Sequence, residues 1–151
     1  MIVVDIEVFI DYFLISFKQI KTGKLRHFEL FEGNPLNIKE IKKIMEKKTT
    51  ISFNGLSYDL PLITAALKGW TAGRLKYFSD DIIKSNKPSW IIAQESHIKT
   101  PAKWDHIDLI EVAPGKASLK IYGGRMHALK IQDLPFEPSE HITPGLRNII
   151  K

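Results

Sequence analysis

The chain has 151 residues, enough for one domain with a sizeable core, and carries 22 Lys plus Arg against 17 Asp plus Glu for a net charge of +5. It has no cysteine, which excludes disulfides and thiolate metal sites. No apolar run reaches the ~18 residues a membrane helix needs, and the start lacks the basic region of a signal peptide, so a cytoplasmic protein with no membrane partner is expected. The basic balance favours a polyanionic partner such as nucleic acid.

Eight of the first ten residues, Met1 to Ile10, are apolar, and the Ile and Val among them suit a buried strand. Asp5 and Glu7 interrupt it. Strand side chains alternate, so both acids point to one face, roughly 7 Å apart along the chain. Two like charges on an apolar strand either face water or call for a cation between them.

A second strand-like run covers Phe13 to Lys18, the segment Lys21 to Lys24 with Gly23 is a turn, and Leu25 to Phe31 alternates as a half-exposed strand should. The three read as an antiparallel meander. Leu36, Ile38, Ile41, Ile44 and Met45 then recur at helical spacing with lysines between them, predicting a surface helix with a basic outer side.

Thr49 to Phe53 is a short inner strand that delivers Asn54-Gly55-Leu56-Ser57-Tyr58-Asp59. Pro61 is tolerated only in a first helical turn, so a helix begins near Ser57 to Asp59 and runs to a stop at Gly69. Asp59 therefore sits at a helix N-terminus, where helix-dipole complementarity alone would explain an acid. Residues 70 to 104 suggest one or two short helices with loops. Ile107 to Val112 resembles a strand, and Leu119, Tyr122, Met126 and Leu129 share a helical face. Prolines 135, 138 and 144 mark residues 136–151 as a loosely held tail.

Asp5, Glu7 and Asp59 thus fall at strand and helix ends that can converge. Hard carboxylate oxygens suit Mg²⁺ or Mn²⁺, and two such ions about 4 Å apart can drive phosphodiester hydrolysis. Val4-Asp5-Ile6-Glu7 followed by Phe53 to Asp59 resembles the first two motifs of the DEDD 3′–5′ exonucleases, the proofreading domains of DNA polymerases. The wider set, adding His106 to Gly115, Leu119 to Gly124 and Gln132 to Pro135, resembles the exonuclease region at the N-terminus of phage DNA polymerases.

The resemblance implies an α/β, ribonuclease H-like fold: a mixed sheet of the meander plus parallel strands, flanked by helices, over residues 1–151. It implies that Asp5, Glu7 and Asp59 are catalytic residues and ligands of two Mg²⁺ or Mn²⁺ ions. Asn54 would orient the 3′ end of single-stranded DNA, and Tyr58 would line the terminal-nucleotide pocket. Asp108 matches a strand position beside the site and is not expected to be a ligand.

The chain departs from the family in one respect. The third motif, Tyr-x-x-x-Asp or His-x-x-x-x-Asp on a later helix, does not occur after Asp108; Tyr77 and Asp81 have the former spacing but precede it. The expectation is therefore either the leading piece of a longer polymerase or split enzyme, completed in cis or trans, or a shortened relative. The alternative is a non-catalytic module on the nuclease scaffold that binds nucleic acid, through its lysine-rich helix, or protein. The histidines add little: His106 and His127 could touch phosphate, and His27, His97 and His141 read as surface residues.

Overall fold

The computed structural model describes residues 1–115, 117–128 and 136–151. Strands β1 (Ile2–Val8), β2 (Phe13–Gln19) and β3 (Leu25–Leu30) form the expected antiparallel meander. β1 ends sooner than the apolar run does, because the Phe9 N–H bonds back to the Tyr12 carbonyl at 2.8 Å and reverses the chain. The second turn closes at Gly23, whose φ of +68° is a conformation that glycine adopts without steric cost. Beyond β1, the short strands β4 (Thr50–Ser52) and β5 (His106–Asp108) add in parallel, giving the order β3-β2-β1-β4-β5. This α/β arrangement of a mixed sheet flanked by helices is compatible with the ribonuclease H-like fold.

The strand period sorts side chains onto two faces. Val4, Ile6 and Val8 pair across the sheet with Phe17, Ile15 and Phe13, and with Phe28 they form the buried face. Four helices cover it: α1 (Ile38–Lys47), α2 (Asp59–Leu67), α3 (Ala72–Lys84) and α4 (Ser89–Glu95). α1 starts where the Asn37 side chain accepts the Glu40 N–H at 3.1 Å; it buries Ile41 and Met45 and turns its lysines outward. α2 is apolar on all sides and accordingly buried from Asp59 through Ala66. Its stop at Gly69, with φ +87°, lies where the sequence places it. Residues 70–104 supply α3 and α4.

The strand expected over 107–112 is shorter than its apolar pattern. The Asp108 carboxylate accepts the Ile110 N–H at 3.1 Å, so the chain leaves the sheet as a 3₁₀ turn, Leu109–Glu111. α5 (Leu119–Arg125) follows, while Leu129 and the Gln132 to Pro135 segment lie outside the described residues.

The tail read as loosely held is docked on the other face of the sheet. Phe136, Ile142, Leu146 and Ile150, the last two on α6 (Pro144–Ile150), pack on Phe9, Tyr12, Leu14 and Phe31. The Ile142 N–H donates to Asp11 at 3.0 Å, Lys151 pairs with Glu29 at 2.8 Å, and the Arg147 guanidinium lies 3.5 Å from the Phe31 ring centre. The prolines do break the periodicity, but the apolar residues between them meet a surface more than a hundred positions away. No helix among the described residues is long and apolar enough to cross a membrane.

Candidate functional site

Asp5 and Glu7 share the face of β1 opposite Val4, Ile6 and Val8. Across the sheet, Asp5 lies in register with Ser16 and Ser16 with His27, while Glu7 is level with Leu14 and Glu29. On its other side β1 pairs with β4 only at Ile2 and Val3, since β4 ends at Ser52. From Asp5 onward no strand among the described residues pairs with that edge. The chain turns there from β4 into α2 and brings Asp59 to the same stretch of β1 as Asp5, so that the Ile6 backbone N–H lowers the pKa of both carboxyls. A strand that stops early is what creates the meeting place.

The turn is held by buried chemistry. Asp108, 3% exposed, accepts the N–H groups of Asn54 at 2.6 Å and Leu56 at 2.9 Å. Asn54 adopts a left-handed conformation, φ +64°, which asparagine tolerates better than most residues. At Gly55 a Cβ would fall 1.8 Å from the Ser52 hydroxyl and 3.1 Å from His106 Nε2, so no side chain fits. His106 is fixed between the Thr50 hydroxyl at 2.8 Å and the Ser52 hydroxyl at 3.1 Å, and burial lowers its pKa, which favours the neutral ring. These residues build the loop that carries Asn54, Tyr58 and Asp59. Asp108 is thus a loop clamp, in keeping with its not being expected as a ligand.

The acids are electrostatically strained. Burial, then the neighbouring Asp5 and Asp108 charges, push Asp59 up to about 7, and the Asp59 and Ile6 N–H groups only partly oppose this. Burial and the Asp5 charge push Glu7 up to about 7. Asp5 is raised as well, chiefly by the protein around it; because its surface is exposed, desolvation weighs less on it than on Asp59, which is 4% exposed. Among the described residues no lysine or arginine comes within ion-pair distance of any of the three. Nor do three acidic or imidazole groups there come together as a metal-holding set. The coupling is pairwise, Glu7 with Asp5 and Asp59 with Asp5 and Asp108.

Of the other residues singled out in the sequence, Asn54 is exposed at the loop tip. Tyr58 is half-buried beside α2, its hydroxyl 2.6 Å from Ser79 on α3; burial raises its pKa, and the Asp59, Glu7 and Asp80 charges add to the shift. Tyr77 and Asp81, on α3, are exposed. One contact next to Asp5 was not anticipated: Ser16, its cross-strand partner, has its hydroxyl 2.9 Å from His27 Nδ1 on β3, with His27 half-buried rather than a plain surface residue. Counting outward from the Lys21–Lys24 turn would have paired them.

Carboxylate oxygens are the hard donors that divalent ions take, and burial without a lysine or arginine partner among the described residues favours the neutral forms of Asp59 and Glu7. Compared with known proteins, the chain matches no family model, no curated protein and no solved structure.

Proposed function

We propose that this chain is a 3′–5′ exonuclease domain of the phage DNA polymerase type, acting in the cytoplasm on the 3′ ends of single-stranded DNA. One observation carries the reading: Asp5, from β1, couples electrostatically with both Glu7 on its own strand and Asp59 from a separate segment, no lysine or arginine among the described residues pairs with any of the three, and Glu7 and Asp59 are raised to about 7. The donor set, carboxylate oxygens alone, fits Mg²⁺ or Mn²⁺ rather than a softer metal. When bound, two such ions supply an ionised water at neutral pH and neutralise charge on the scissile phosphate.

The chain's own residues have distinct tasks in this reading. Asp5, Glu7 and Asp59 hold the ions, and their repulsion in the free protein becomes attraction on loading. Asn54 contacts the 3′ end in this reading, which its exposure at the tip of a loop fixed by Asp108 supports. Tyr58 stays protonated, its hydroxyl on Ser79 and the Asp59 and Glu7 charges nearby, and lines the terminal-nucleotide pocket.

The test is a 5′-labelled single-stranded oligonucleotide incubated with the chain and Mn²⁺, alone and as part of a longer polypeptide from the same reading frame. A ladder shortening from the 3′ end is expected, lost in Asp5→Ala and Asp59→Ala variants that keep their circular dichroism. Inactivity of both forms, or activity untouched by those substitutions, would overturn the assignment.

A further inference from the structure

On the helix-covered side of the sheet, at the end away from the acids, a groove of about 460 Å³ separates α1 from the ends of β1–β3. Its floor is apolar, formed in part by Ile2 and Ile44, and its walls carry Lys24, Lys43, Lys47 and Lys48. A fifth cation in the groove, Arg26, is already paired with Glu40. The four lysines have no carboxylate within ion-pair distance among the described residues.

Helix-dipole complementarity accounts for lysines in the last turn of α1, which includes Lys47. It does not account for Lys43, one turn earlier, or for Lys24, which reaches the groove from the opposite wall between β2 and β3. Lysines on a solvated convex face lie apart from one another; these are gathered around a concavity, where they repel one another and attract an anion. Lys43 and Lys47 stand one turn apart on a single face, so their ammonium groups follow the groove rather than converge on one point. A linear polyanion with an apolar side matches this pattern better than a compact anion does.

We infer that this groove binds single-stranded nucleic acid through its phosphates, at a site separate from Asp5, Glu7 and Asp59. The apolar floor takes the flank of a base or sugar, and the lysines displace the strand's counterions. Because Ile2 and Phe17 point to the opposite side of the sheet from Asp5 and Glu7, binding here needs no metal.

Fluorescence anisotropy of a labelled thymidine oligonucleotide, with a chelator present, measures it. The triple variant Lys43→Gln, Lys47→Gln and Lys48→Gln is expected to bind about tenfold more weakly or worse. Its slope of log affinity against log salt is expected to fall by about 2, since each single-strand phosphate contact contributes about 0.7. A control triple variant of exposed lysines outside the groove, Lys21→Gln, Lys39→Gln and Lys99→Gln, keeps the slope, and melting curves verify that both variants fold. Equal losses in the two triple variants, no binding by the wild type in chelator, or competition by inorganic phosphate or thymidine monophosphate as effective as that by the oligonucleotide would each overturn the site. The assay contains no metal and reads binding alone, so groove binding that survives an inactive Mn²⁺ ladder assay, or is lost while the ladder persists, tells failure of the nuclease reading from failure of this site.

Discussion

Replacing Asp59 with asparagine should stabilise the metal-free protein, and only at a pH where the aspartate would be charged. Asp59 is raised from 3.8 to about 7. A carboxyl whose pKa is higher folded than unfolded is accommodated best when protonated, so its contribution is whole below pH about 4 and is lost as pH rises through about 7. Three units at about 1.4 kcal/mol each give roughly 4 kcal/mol as the ceiling on that loss. Asp59 titrates together with Asp5, and an asparagine NH₂ must find its own acceptor, so a net gain of about 2 kcal/mol is the better expectation. For a chain of this size, 1 kcal/mol moves the melting temperature by about 2–4 °C, so Asp59→Asn should melt about 4–8 °C above the wild type at pH 8 in chelator. At pH about 4 the gain should be gone, the two melting within about 2 °C of one another. Near-UV circular dichroism against temperature provides the measurement. An asparagine variant less stable than the wild type at pH 8, or one with the same gain at both pH values, would refute the claim that an uncompensated buried charge sits at this position.

Asp108→Ala removes the acceptor for the N–H groups of Asn54, Leu56 and Ile110. At about 1 kcal/mol or more per stranded donor, a loss near 3 kcal/mol is expected in chemical denaturation. Amide exchange at Asn54 and Leu56 should speed up more than exchange in β2, and uniform acceleration would argue against a local clamp. Gly55→Ala forces a Cβ onto the Ser52 hydroxyl and should cost about 2 kcal/mol or more. Adding Ser52→Gly should recover part of that loss, because it also removes the Ser52 Cβ that would lie at 2.9 Å; an unchanged deficit in the double variant would refute the steric cause.

The period-2 pattern of β1 put Asp5 and Glu7 on one face, and the glycines at 23 and 69 and Pro61 located a turn and both ends of α2; the structure agrees on each. These are local properties, set by backbone angles and side-chain alternation over a few residues. The sequence left open whether the acids face water or each other, and the answer came from elsewhere. β4 stops at Ser52, Asp108 clamps the next loop from 54 positions away, and Asp59 is thereby brought to the stretch of β1 that carries Asp5. The docking of the tail on Phe9 and Tyr12 and the pairing of Ser16 with His27 are decisions of the same kind. Each depends on which distant surfaces pack together, a choice made by the burial of apolar area across the whole fold and carried by no stretch of chain alone.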